Sequence, residues 1–123
     1  MTSEELVARA EAAAANAYAP YSRYLVGATV LTHDGRVFDG VNVENAAYPL
    51  GVCAEKVAIA KAASEGVRPG AIQAIGITAS PCGGCRQWNY EWRIQRVAFR
   101  RADGTISEYS AAELLPETWD LPA

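Results

Sequence analysis

The chain has 123 residues, half of them hydrophobic, and a formal net charge of −3. That length reads as one domain, residues 1–123, with enough apolar content for a single core. The acidic balance argues against a polynucleotide partner, which needs a basic footprint, and charges interspersed among the apolar residues leave no membrane span.

Thr2 and Glu5 form a capping box that opens a helix. Leu6, Val7, Ala10, Ala13, Ala14 and Ala17 give it an apolar stripe at helical spacing, and Pro20 ends it. Leu25 to Leu31 reads as a strand. His33-Asp34-Gly35 is a hairpin turn, and Arg36 to Val41 the return strand. The lone histidine, His33, is a turn residue on this reading. Asn42 to Gly51 leads along the rim of a pocket toward a helix from Cys53 to Glu65, closed by Gly66. Ala71 to Ala79 is a buried strand that runs into Pro81, and a further helix spans Cys82 to Ile94. Arg96 to Arg100 is a strand, Asp103-Gly104 a turn and Thr105 to Tyr109 an edge strand. Ser110 caps a last helical turn through Leu115. The densest basic patch, Arg93, Arg96, Arg100 and Arg101, reads as a solvated edge or subunit contact. Strands alternating with helices, without repeats or linkers, predict an α/β layered sandwich.

The chemistry concentrates in two stretches, Val52-Cys53-Ala54-Glu55-Lys56 and Pro81-Cys82-Gly83-Gly84-Cys85, which hold all three cysteines. Three thiols are the wrong count for a disulfide framework. They suit a zinc with three protein ligands and one open position, as catalytic zinc keeps. Cys53 and Cys82 each stand at a helix start, where free N–H groups and the helix dipole favour thiolate. Three thiolates, one hydroxide and Zn²⁺ sum to about −2, so the site needs compensation, and Lys56 is the nearest cation in sequence. Glu55 is placed to work a metal-activated water. Reduced thiols, with no charged-then-apolar leader before Glu4-Glu5, predict a cytoplasmic protein.

Cys53-Ala54-Glu55 followed by Pro81-Cys82-Gly83-Gly84-Cys85-Arg86-Gln87 resembles the cytidine deaminase family, in its small three-cysteine branch. Ala19-Pro20-Tyr21-Ser22, Val26-Gly27-Ala28, Asn42 to Ala46 and Leu114-Leu115-Pro116 extend the resemblance, in family order, over nearly the whole chain. It implies a three-layer α-β-α sandwich with a mixed five-stranded sheet. It also implies one Zn²⁺ per subunit on Cys53, Cys82 and Cys85, and Glu55 as the proton-transfer group in hydrolytic deamination. By the same resemblance Asn42 and Glu44 bind ribose, Tyr24 stacks on the base where relatives usually have Phe, and the Ala54 backbone reads the pyrimidine edge. Trp119 would lie over a neighbouring subunit's pocket in a homotetramer serving pyrimidine salvage. Arg86 and Gln87 are read as support for the centre or as interface residues. The chain departs from the family pattern at Lys56, which stands in for an arginine fork, and in a shorter connection before Pro81. It departs again in the Trp88, Asn89, Tyr90 and Trp92 face and at Pro49 and Gly51. Three functions follow: deamination of cytidine or deoxycytidine; deamination of a modified or bulkier cytosine compound (blasticidin-like, N4-substituted or 5-methyl cytidine) or another aminated heterocycle; or a non-catalytic zinc or thiol module. The partner is a small nucleoside-like molecule in the first two readings, with no polynucleotide and no membrane.

Overall fold

The capping box at the start of the chain forms as expected. Glu5 N–H donates to Thr2 Oγ1 at 3.1 Å, Thr2 N–H donates to the Glu5 carboxylate at 2.9 Å, and α1 runs Ser3–Ala13. These and the following elements come from a computed structural model that describes residues 1–122; Ala123, the end of the expected domain, lies outside them. The helix is shorter than its apolar stripe. A 3₁₀ turn covers Ala14–Asn16, and Ala17 is already extended. Pairing of Tyr18 with the 42–44 segment competes with helix here: Tyr18 N–H donates to Asn42 O at 3.0 Å, and Glu44 N–H donates to Tyr18 O at 2.8 Å. Pro20 therefore lies beyond a helix that has already ended.

The strands are β1 (Gly27–Thr32), β2 (Val37–Val41), β3 (Ile72–Ile77), β4 (Arg96–Arg100) and β5 (Ile106–Tyr109). The helices between them are α2 (Ala54–Ser64) and α3 (Gly83–Glu91). The sheet order is β2-β1-β3-β4-β5. Only β3 and β4 are parallel, joined through α3, so the sheet is mixed. β1 starts at Gly27, not Leu25, which leaves Tyr24 and Leu25 in an exposed loop.

Alternation along the strands divides the core in two. Val30, Ile75, Ile77 and Val97 pack with Ala58, Ile59 and Ala62 of α2. On the other side Leu6 of α1 packs with Leu31 and Ala74. The result is a three-layer sandwich with α1 on one face and α2 and α3 on the other. Two glycines permit the close approach. A Cβ on Gly27 would lie 2.0 Å from Ala10 O, and one on Gly40 would lie 2.4 Å from Ala58 N and 2.5 Å from Ala54 O. Gly40→Ala is therefore expected to push α2 off the sheet. A stability loss of about 2–3 kcal/mol follows, in the upper range for overpacking, read as a lower urea midpoint at unchanged slope. Because α2 carries Cys53 and Glu55, zinc retention should fall with it.

α3 ends three residues before the expected Ile94. Arg93 takes φ 57°, the left-handed conformation that usually calls for glycine. Ile94 N–H donates to Asn89 O at 3.1 Å and Arg93 N–H to Tyr90 O at 3.0 Å, the paired bonds of a Schellman motif. Ser110 and Glu113 exchange capping bonds of 3.1 and 2.8 Å, and Leu114 N–H donates to Ser110 O at 3.3 Å, so the expected single helical turn forms but does not extend into a helix. Two of the four patch arginines are internal ties and not a solvated edge. Arg100 pairs with Glu11 at 3.0 Å and Glu4 at 3.5 Å, and Arg96 donates to Ser3 Oγ at 3.1 Å, fastening α1 to β4. No helix among the described residues is long and apolar enough to cross a membrane.

Candidate metal centre and pocket

Cys53 is the N-cap of α2 and Cys82 the N-cap of α3, both with extended backbone; Cys85 sits one turn inside α3. The two helix starts therefore face one point. The three sulfurs lie within 4.8 Å of one another, and Cys53 Sγ is 3.9 Å from Cys82 Sγ. Zinc–sulfur bonds of about 2.3 Å at tetrahedral angles place sulfurs about 3.8 Å apart. The cluster thus has the spacing of a zinc shell, and the donor set leaves one position for a fourth, non-protein ligand.

The thiols differ by environment. Burial pushes the Cys85 thiol far up, with the charges of Glu55 and Cys53 adding to it. Burial also raises Cys53. At Cys82 the burial cost is smaller than the gain from the Cys85 and Gly84 N–H groups and neighbouring thiols, so that thiol falls below its usual value. A bound dication overrides this order, because a coordinating thiol is deprotonated outright. Glu55, at the second position of α2, is only 3% exposed. Burial raises its carboxyl above the usual carboxylate range, offset in part by the helix N–H, Cys85 and Lys56. Lys56 is half-buried. A methyl on Gly84 would sit 3.6 Å from Lys56 Nζ and 3.9 Å from Cys82 Sγ, so the ammonium lies near the start of α3.

In front of the sulfurs is a pocket of about 380 Å³, with Tyr24, Asn42, Glu44, Ala54 and Glu55 in its walls. Asn42 Oδ1 accepts from Val26 N–H at 2.8 Å while its Nδ2 donates to Tyr24 O at 2.9 Å. Glu44 accepts from Tyr21 N–H at 3.0 Å, Ser22 N–H at 3.1 Å and the Ser22 hydroxyl. The Ser22 hydroxyl and backbone hold its carboxyl below the usual range. Both side chains thus brace the loop that presents Tyr24, and each keeps a free lone pair or N–H for a guest. Arg86 donates to Pro81 O at 2.9 Å, Ser80 Oγ at 3.2 Å and Leu114 O at 3.2 Å, locking the entry to α3. Gln87 is exposed, and Trp119 is 68% exposed and outside this pocket. Ser80, Tyr48 and Ile77 also line the pocket. Ser80 was within reach of sequence reasoning, one residue before Pro81. Tyr48 carried no signal. A larger cleft of about 900 Å³ joins the pocket at Tyr24, Ala79 and Ser80 and contains none of the thiols.

The family model for the cytidine and deoxycytidylate deaminase zinc-binding region matches residues 1–101, both cysteine stretches included. The chain belongs to the cytidine deaminase family. A cytidine deaminase of Sporosarcina psychrophila is 40% identical over 94% of this chain and 90% of its own. One from Mycobacterium tuberculosis is 44% identical over 89% and 83%. The crystal structure of cytidine deaminase from Burkholderia pseudomallei superposes with a TM-score of 0.90 at 41% identity, covering 97% of this chain and all of that one. The α/β architecture with a mixed five-stranded sheet is that of these cytidine deaminases.

Proposed function

We propose that this chain catalyses hydrolytic deamination of cytidine or deoxycytidine to the uracil nucleoside and ammonia, with one zinc per chain on Cys53, Cys82 and Cys85. The observation that carries the reading is the buried Glu55 carboxyl beside a three-thiol cluster at the foot of a nucleoside-sized pocket. The likeness to cytidine deaminases named above supports it.

Bound zinc supplies the Lewis acidity that makes a water nucleophilic at neutral pH. Glu55 takes the proton of that water, passes it to N3 of the ring and delivers a second to the departing amino group. Its raised affinity for protons, a consequence of burial, suits a group that must both accept and return one. Tyr24 offers its ring face to the base, and the Ala54 backbone meets the pyrimidine edge. Asn42 and Glu44, pointing the same way from the extension of β2, receive the sugar hydroxyls. No lysine or arginine lines the pocket among the described residues, which suits a neutral nucleoside. Lys56 compensates the sulfur charge, and Arg86 keeps α3 in register with the centre.

A 900 Å³ cleft that shares Tyr24, Ala79 and Ser80 with the pocket favours one second reading, a bulkier cytosine compound. Ammonia release measured across cytosine, cytidine, deoxycytidine, 5-methyl and N4-substituted cytidines, blasticidin and guanine decides between them. The highest kcat/KM is expected for cytidine or deoxycytidine; turnover confined to a bulkier substrate would replace the first reading by the second. The same reading includes a homotetramer in which Trp119, exposed and away from its own pocket, covers a neighbour's. Light scattering should give the four-chain mass, and a monomer would remove that role from Trp119. A site of reduced thiols fits a cytoplasmic enzyme of pyrimidine salvage.

A further inference from the structure

Asn89 is fully buried, on the same face of α3 as Cys85 and one turn after it. Neither its amide nitrogen nor its amide oxygen has a hydrogen-bond partner. Buried amides are nearly always bonded, and each unmatched group costs about 1–3 kcal/mol. An orphan here is conspicuous because this end of α3 lies on the apolar core: Ile94 belongs to it, and Tyr90 and Trp92 pack against it.

The centre has a matching deficit. The Gly84 and Cys85 N–H groups at the start of α3 lower the Cys82 thiol, and the Lys56 ammonium and Cys82 Sγ both lie close to Gly84. Cys85, the most buried of the three cysteines, has no N–H donor to its sulfur among the described residues. A sulfur that binds zinc carries negative charge and gains from a donor. Side chains in a helix lean toward its N-terminus, so residues four apart stack, with Cβ atoms about 5–6 Å apart. Asn89 therefore leans toward Cys85.

We propose that Asn89 is a positioning residue for the metal centre, its buried Nδ2–H donating to Cys85 Sγ when the three cysteines hold zinc. This rests on the zinc reading above. The amide fixes the deepest ligand from one turn further along α3 and tempers the charge that three sulfurs place on the metal. Stability of the metal-free chain is given up in exchange for grip on the metal.

The test compares zinc-loaded wild type with Asn89→Leu and Asn89→Ala. Three quantities are read: the rate of zinc transfer to a chromophoric chelator, the urea midpoint of the metal-free chain, and the sulfur-to-metal charge-transfer band after cobalt substitution. Asn89→Leu should raise the metal-free midpoint, because the orphan is gone, yet release zinc about 10–100-fold faster, the equivalent of one hydrogen bond to a charged group. Asn89→Ala should release zinc equally fast while its midpoint falls from the cavity left behind. In both variants the cobalt band should move to lower energy, because the sulfur lone pairs lose a donor. Wild-type zinc release and an unmoved band in both variants, whatever their midpoints, would overturn the proposal. Wild-type chain that binds no zinc would overturn the reading beneath it, a separate result.

Discussion

Glu55→Ala should bind zinc as wild type does and release ammonia from cytidine at least about 10⁴-fold more slowly. A positioned acid–base group is worth about 10²–10⁴-fold for one proton transfer. In the proposed mechanism one carboxyl handles the water, N3 and the leaving nitrogen in turn, so the loss falls at or beyond the top of that range. Zinc retention follows from the ligand set, because Glu55 is not one of the three sulfurs that face one another. Glu55→Gln sharpens the test. It keeps the volume and the hydrogen-bonding outline of a side chain only 3% exposed, and removes only the titrating proton. Gln should be as inactive as Ala, with KM for cytidine changed far less than kcat. Deamination near the wild-type rate by either variant would take the proton-transfer role away from Glu55.

The thiol cluster beside which that role is proposed was readable from Cys53, Cys82 and Cys85, because metal ligands advertise themselves by type and spacing. The sheet was readable for a related reason. The short apolar runs Ala28 to Leu31 and Ile72 to Ile77, almost wholly buried, and the Asp34-Gly35 turn state strand and hairpin locally. What escaped is what the chain decides at long range. α1 stops at Ala13 because Tyr18 is needed beside Asn42 and Glu44, a partnership across more than twenty residues. α3 stops at Glu91 because Arg93 accepts a left-handed backbone that sequence rules reserve for glycine. Non-glycine residues meet that geometry at a cost of about 1–2 kcal/mol, offset here by the two closing hydrogen bonds. Asn42 and Glu44 line the pocket, yet their bonds to Tyr24, Val26 and Ser22 belong to a loop whose path no local pattern gives. Asn89 shows the same limit: it was visible as a departure from an aliphatic face, but only the fold reveals that nothing answers its amide.

Cys85→Ser is expected to leave the chain folded, nearly free of zinc and without measurable ammonia release. Serine differs from cysteine by one atom, but its oxygen is a harder and far less acidic ligand than sulfur, and zinc–thiolate bonding depends on the deprotonated form. The remaining Cys53 and Cys82 supply two ligands, too few for a closed grip on one metal. Folding should survive because the main core is built elsewhere. Ile59, Ile75, Ile77 and Val97 pack between sheet and helices without help from the sulfurs. The site thus differs from small zinc folds, in which metal binding of about 10–16 kcal/mol is itself the folding energy. Metal analysis should find well under one zinc per chain beside a full complement in wild type, while far-UV circular dichroism of the two coincides. Stoichiometric zinc and normal turnover in Cys85→Ser would remove Cys85 from the ligand set. Loss of the far-UV signal together with the metal would show instead that the apolar core cannot stand alone, and that zinc here is structural as well as chemical.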